Sequence, residues 1–142
     1  MSFLLDTNVV SEWVRPRPDR GVIRWLAEAD EDRVYISVVT LAELRHGIER
    51  LTESARRGRL DEWLREELPQ RFEGRVLPVD SAIADSWGRV MARSQAAGRP
   101  VGAIDAFVAA TAMARDLTLV TRNVEDFEAL LNEIVNPWTR AQ

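Results

Sequence analysis

The chain has 142 residues, 46% of them hydrophobic, a formal net charge of −4 and no cysteine. That length suits one domain burying roughly two-thirds of its unfolded surface, the missing thiols exclude a disulfide framework and thiolate metal sites, and the acidic balance argues against non-specific coating of nucleic acid. All nineteen basic residues are arginine, which removes any mechanism that needs a catalytic or phosphate-cradling lysine and leaves planar guanidinium forks.

In chain order, Phe3–Leu5 reads as a first strand, ending in the polar knot Asp6, Thr7, Asn8. A short helix through Val9, Val10, Trp13 and Val14 stops at Arg15-Pro16-Arg17-Pro18, because proline lacks a donor and pushes its predecessor out of helical geometry. Asp19 is placed to cap a second helix whose apolar face is Val22, Ile23, Leu26 and Ala29. The β-branched run Val34–Val38 predicts strand two. Thr40 to Glu43 opens the next helix, with Leu41, Leu44, Ile48 and Leu51 as its buried stripe and Glu43 off it. Glu53 to Glu67 is densely charged, with a break at Arg56-Arg57-Gly58-Arg59 and an apolar edge of Leu60, Trp63, Leu64 and Leu68, and predicts a protruding helical hairpin or arm over about residues 53–70. Arg75–Val79 predicts strand three, and Ile83, Trp87, Val90 and Met91 mark the helix after it. An alanine-rich helix over Gly102–Asp116 carries Asp105 in its first turn. Leu117–Thr121 is strand four, a last helix follows Arg122 and Asn123, and a short strand is expected at Glu133–Val135. No repeat or linker divides the chain, so a single domain over 1–142 is expected. No apolar run reaches the roughly 18–20 residues of a membrane span and the N-terminus lacks signal-peptide features, so a soluble, cytoplasmic protein without membrane contact is expected.

Alternating strands and helices predict an α/β domain with a mostly parallel sheet of four to five strands and helices on both faces. Ligands in such sheets bind beyond the carboxyl ends of the strands. Asp6, Glu43, Asp105, Asn123 and Asp126 can all face that end. Gathered carboxylates repel one another unless a cation shares the space, and hard oxygen donors select Mg²⁺ or Mn²⁺. Such an ion polarises a phosphoryl oxygen and activates a water, which favours phosphodiester hydrolysis. Each acid also has a structural reading. Thr40 and Glu43 fit a capping box, Asp105 and Asp126 fit helix N-terminal partners, and Asp6 fits a turn or cap.

Four stretches, Leu5–Glu12, Ile36–Leu44 (through Thr40-Leu41-Ala42-Glu43), Asp105–Ala112 and Thr121–Phe127, resemble in order the motifs of the PIN-domain ribonucleases, and more narrowly the VapC toxins of bacterial toxin–antitoxin pairs. The resemblance spans Leu4 to Trp138. It implies a three-layer α/β/α sandwich and a Mg²⁺- or Mn²⁺-dependent endoribonuclease that cleaves RNA. It makes Asp6 and Asp105 direct metal ligands, with Glu43 binding the metal or its water and Thr7 and Asn8 holding the loop. It also implies a homodimer and a cognate antitoxin in a hetero-oligomer. The family often has a fourth acid directly after the Thr-Arg pair, here Thr121-Arg122, and this chain has Asn123 there. Asn123 can bond a metal-bound water but supplies no charge; Asp126, about one helical turn on, can replace it.

Phosphatases of the haloacid-dehalogenase type need a second aspartate at position 8 and a lysine, and phosphorelay receivers need a lysine; this chain meets neither requirement. A non-catalytic RNA-binding or interaction module with the same fold remains as the alternative. His46 is the only histidine, which excludes a pair of imidazoles as acid and base. Arg122, beside the site, is the first candidate for an RNA contact, ahead of the clusters Arg15, Arg17, Arg20 and Arg56, Arg57, Arg59. The tryptophans are expected in the core, with Trp13 and Trp63 also placed to meet a partner.

Overall fold

The structure is a computed structural model that describes residues 1–139. Five parallel strands, β1 (Phe3–Leu5), β2 (Val34–Ser37), β3 (Val76–Leu77), β4 (Thr118–Val120) and β5 (Ile134–Val135), form one sheet in the order β3-β2-β1-β4-β5. The strands are short, and the two outermost have only two residues each. Their side chains alternate between faces, as the strand period requires. Phe3, Leu5, Val34, Ile36, Val76, Val120 and Val135 face one core, and Leu4, Tyr35, Leu77, Leu119 and Ile134 face the other.

The first core is closed by α1 (Thr7–Ser11), α2 (Arg20–Glu28), α3 (Val38–Glu49), α4 (Ala55–Glu62) and α5 (Leu68–Arg71). It is filled by large side chains, among them Trp63, Leu68 and Phe72. The second is closed by α6 (Ser81–Ala96), α7 (Ala103–Arg115) and α8 (Val124–Phe127). Here Ala106, Ala109, Ala110 and Ala112 are buried, and small side chains let α7 lie close against its neighbours. The result is the expected α/β/α sandwich.

Several local expectations are revised. The segment at 53–70 is helical, but Trp63, Leu64 and Leu68 are buried in the first core, so it lies against the sheet layer and solvates only its outer face. Arg56 to Arg59 do not break it, because Ser54 caps α4 by accepting the Arg57 N–H at 3.2 Å. Helix α3 starts earlier than expected, capped by Ser37 through the Val39 N–H at 3.0 Å. Thr40 therefore lies inside the helix, and the capping box with Glu43 does not form. Asp19 does cap α2, accepting from Val22 at 3.1 Å. The helix expected after Asn123 is a single turn, and Leu130 and Leu131 pack on the second core beyond it.

The connection order places β2 on one side of β1 and β4 on the other. Chains leaving β1 and β4 thus diverge to opposite sides, and a crevice opens between their carboxyl ends, the usual location of sites in such sheets.

Candidate active site

The two central strands deliver their last residues into that crevice side by side. The Asp6 N–H donates to the Val120 carbonyl at 2.9 Å, and the Thr121 hydroxyl donates to Asp6 Oδ2 at 2.8 Å. Asp6 Oδ1 accepts the Thr7 N–H at 2.8 Å and so caps α1. Asp6 is 5% exposed and Thr121 fully buried. The Asn8 amide bridges the same pair more loosely, 3.4 Å from Asp6 Oδ2 and from Thr121 Oγ1, and accepts the Arg122 N–H at 3.4 Å. Asp6 is therefore both the cap that its position after a strand suggested and the centre of a buried polar network.

Glu43 reaches this corner from α3. The Thr7 hydroxyl donates to Glu43 Oε1 at 2.5 Å and lies 3.1 Å from the Thr40 hydroxyl. Thr7 has one hydroxyl proton, and the carboxylate takes it, so Thr40 is the donor in the second contact. A chain of donors runs from buried Thr40 through Thr7 to Glu43. The sequence marked Thr40 only as a cap, and nothing in local spacing shows that it meets a threonine thirty-three residues away.

Asp105 stands opposite, in the first turn of α7, half-buried. Among the described residues no side chain or amide donates to its carboxylate. Its pKa is pushed up to about 6, first by loss of solvent and then by repulsion from Asp6, Asp126 and Glu43. Burial also raises Asp6, opposed by the Thr121 hydroxyl and the Thr7 amide and reinforced by Glu43 and Asp126. These shifts identify the four acids as electrostatic neighbours. Asp126, exposed in α8, belongs to the group. Asn123 contributes through its backbone, its N–H donating to Thr121 Oγ1 at 3.0 Å; its side chain makes no hydrogen bond among the described residues.

The donors gathered here are oxygens, chiefly carboxylate with the amides of Asn8 and Asn123 beside them, a set that suits a hard divalent cation. Among the described residues no three acids close around a single ion, and both Asp6 oxygens already accept hydrogen bonds. The arrangement fits an ion that takes one or two carboxylates directly and reaches the others through retained water, as Mg²⁺ commonly does. On donor chemistry and mutual repulsion the residues fit such a group.

The other candidates are placed apart. His46 is exposed in the last turn of α3. Trp63 is core, and Trp13 packs on Phe72 at 6.0 Å between centroids with the Arg71 guanidinium 4.1 Å above its ring. The Arg122 guanidinium lies 5.5 Å over Trp138, which holds it at the rim. Arg15 pairs with Glu12, and Arg57 with Glu49 and Glu53. A cleft of about 390 Å³ that the sequence did not reveal opens from Asp105 and Asp126 and is lined by Arg93, Arg99 and Glu125. Its only trace in the sequence is the loop Ala97-Gly98-Arg99-Pro100 a few residues before Asp105.

Comparison with known proteins comes to the same fold. The PIN domain model matches residues 3–130. Toxin FitB of Neisseria gonorrhoeae is 37% identical over 135 residues, covering 95% of this chain and 97% of its own length. VapC ribonuclease Y4jK of Sinorhizobium fredii is 37% identical over 138 residues, covering 97% and 99%. The crystal structure of FitAcB from Neisseria gonorrhoeae superimposes with a TM-score of 0.90 at 37% identity, covering 96% of this chain and 98% of that one.

Proposed function

The chain belongs to the PIN-domain family, and on that premise we propose that it is an endoribonuclease of the toxin class, dependent on Mg²⁺ or Mn²⁺ and restrained by a cognate antitoxin. The observation that carries the reading is the set of four mutually repelling acids, Asp6, Glu43, Asp105 and Asp126, at the carboxyl ends of the two central strands. Such a set is costly without a cation, and the cap that Asp6 supplies to α1 does not account for Asp105 or Asp126 beside it.

Asp6 and Asp105 would hold the ion. When bound it supplies Lewis-acid polarisation of the phosphoryl oxygen and acidifies a coordinated water. Thr121 and Thr7 fix the Asp6 carboxylate in one orientation, and Asn8 ties the two loops together. Glu43, held by Thr7, orients a water or accepts its proton. Asp126 fills the fourth position that Asn123 leaves uncharged, supported by its repulsion of both Asp6 and Asp105. Arg122 lies at the rim where the RNA backbone approaches. A ribonuclease toxin needs a neutralising partner in its own cell, and the names of its relatives support a toxin–antitoxin hetero-oligomer. Among the described residues no helix is long and apolar enough to cross a membrane.

The test is cleavage of structured RNAs with Mg²⁺, with Mn²⁺ and with chelator, comparing wild type with Asp6→Asn, Asp105→Asn and Asp126→Asn. Loss of about 100-fold or more is expected for the first two and with chelator, beyond the 10–100-fold typical of supporting residues, and a smaller loss for Asp126→Asn. Equal cleavage by wild type and Asp105→Asn, or folded wild type that binds RNA and cleaves none, defeats the reading in favour of a binding module.

A further inference from the structure

The cleft beside the acids has a composition that the hydrolytic site does not use. It opens at Asp105 and Asp126 and runs between the end of α6, the loop into α7 and α8. Its lining includes the apolar residues Pro100, Val101, Ala129 and Leu130, the two arginines Arg93 and Arg99, and a further acid, Glu125. Among the described residues neither arginine has a carboxylate within ion-pair distance, as is also true of arginines away from the cleft such as Arg17, Arg20, Arg24 and Arg56. What sets Arg93 and Arg99 apart is their place in the same cleft as Asp105 and Asp126, with neither paired to them. Its volume of about 390 Å³ falls within the roughly 300–1,000 Å³ of small-ligand sites.

We propose that this cleft is a nucleotide subsite, which takes the residue of single-stranded RNA next to the scissile bond, with its flanking phosphate on Arg93 and Arg99 and its base against the apolar part of the lining. This rests on the ribonuclease reading and names how that substrate is held. Three features select RNA as the occupant. The cleft is continuous with Asp105 and Asp126, so a strand whose phosphodiester lies at the acids must pass its next nucleotide along this lining or away from the protein. Guanidinium forks match phosphate oxygens bidentately. A lining without aromatic rings, beside planar guanidiniums, takes an unstacked base of any identity by apolar contact and cation–π stacking. A duplex has no base to place there, so the cleft also explains how single-stranded segments would be chosen. Arg93 and Arg99 offset the repulsion that the acids impose on incoming phosphate.

The experiment compares wild type with Arg93→Ala, Arg99→Ala, the double variant, Arg99→Lys and the cleft-filling Ala129→Phe. KM and kcat are measured on a cleavable single-stranded oligonucleotide. Affinity is measured by anisotropy on the same oligonucleotide with chelator present, so that it is not cut, across a salt series. Arg93 and Arg99 are exposed, so the variants fold, and thermal melting confirms it. Each alanine variant is expected to raise KM about tenfold, the loss of one charge-assisted contact, with kcat within about twofold of wild type. The double variant should flatten the logarithmic salt slope by about 0.7, the single-strand value per phosphate contact, and each single variant by part of that. Arg99→Lys restores part of the affinity, and Ala129→Phe weakens binding without changing the salt slope. Unchanged KM, anisotropy and salt slope in the double variant overturn the proposal. So does a double variant that binds RNA normally but loses affinity for a co-expressed antitoxin, because the cleft then belongs to the protein partner. If the wild type cleaves nothing, the ribonuclease reading falls alone, and the anisotropy with chelator still decides the cleft.

Discussion

Asp6 and Asp105 belong to one site and are built in opposite ways. Asp6 sits at the end of a central strand, nearly buried, with an amide on one oxygen and a hydroxyl on the other. Asp105 sits on a helix across the crevice, half-buried, with no donor among the described residues. The first carboxylate is part of the architecture, because its removal orphans groups the fold has buried. The second is held in a repulsive field by the helix that carries it, and contributes nothing to stability in return. A residue with that imbalance is explained by what it binds, since burial first and then the acids around it raise its pKa to about 6.

The contrast is broken most easily by alanine. Asp6→Ala removes the cap of α1 and leaves the buried Thr121 hydroxyl without its acceptor, and relief of repulsion offsets only part of that. A loss of about 1–2 kcal/mol is expected in denaturant unfolding of the metal-free protein, against a gain or no change for Asp105→Ala. Two equal losses would mean that both corners are structural.

A proton competing for Asp105 gives the second test. Protonated Asp105 cannot bind a cation, so Mg²⁺ affinity should fall about tenfold per pH unit below the Asp105 pKa of about 6 and level off above pH 7. Calorimetric titration of wild type and Asp105→Asn between pH 5 and pH 8 reads this, and the variant should show a much flatter profile. A wild-type affinity indifferent to pH over that range would remove Asp105 from the cation's ligands.

The smallest effect concerns stability alone. The Asp105 pKa rises from 3.8 to about 6 on folding, so the folded state holds the proton more tightly, and this stabilisation is complete below the unfolded value and lost as pH rises through about 6. Asp105→Asn should therefore raise the melting temperature of the metal-free protein at pH 7 by about 3 °C, roughly 1 kcal/mol once solvent screening is allowed for, with about half of that gain left at pH 5 and almost none below the unfolded value of 3.8. A destabilised variant at pH 7 would show that the carboxylate has a partner after all.

Much of this was readable without coordinates, for reasons tied to particular residues. The strand at Phe3–Leu5, the cap at Asp19 and the helix carrying Asp105 are set by periodicity and turn chemistry within a few neighbours. Element ends were less legible. Ser37 and Thr40 are both plausible caps, and only the path of the chain out of β2 selects Ser37. Trp63, Leu64 and Leu68 read as an apolar edge within 53–70, but the surrounding charge suggested a protruding arm, and their burial depends on the sheet beneath them.

The sequence by itself determined which residues could do chemistry. Four acids follow strands or open helices, lysine and cysteine are absent, and a single histidine leaves only carboxylate chemistry, because local spacing fixes secondary structure and composition fixes the available side chains. Tertiary structure alone decided which of them meet. Placing β4 beside β1 in the sheet joined Thr121 to Asp6 across 115 positions, and the packing of α3 against α1 turned Thr40 from a cap into a donor to Thr7. It also opened the cleft of Arg93 and Arg99 beside Asp105. Contacts between residues so far apart depend on strand order, and no stretch of the chain carries that order on its own.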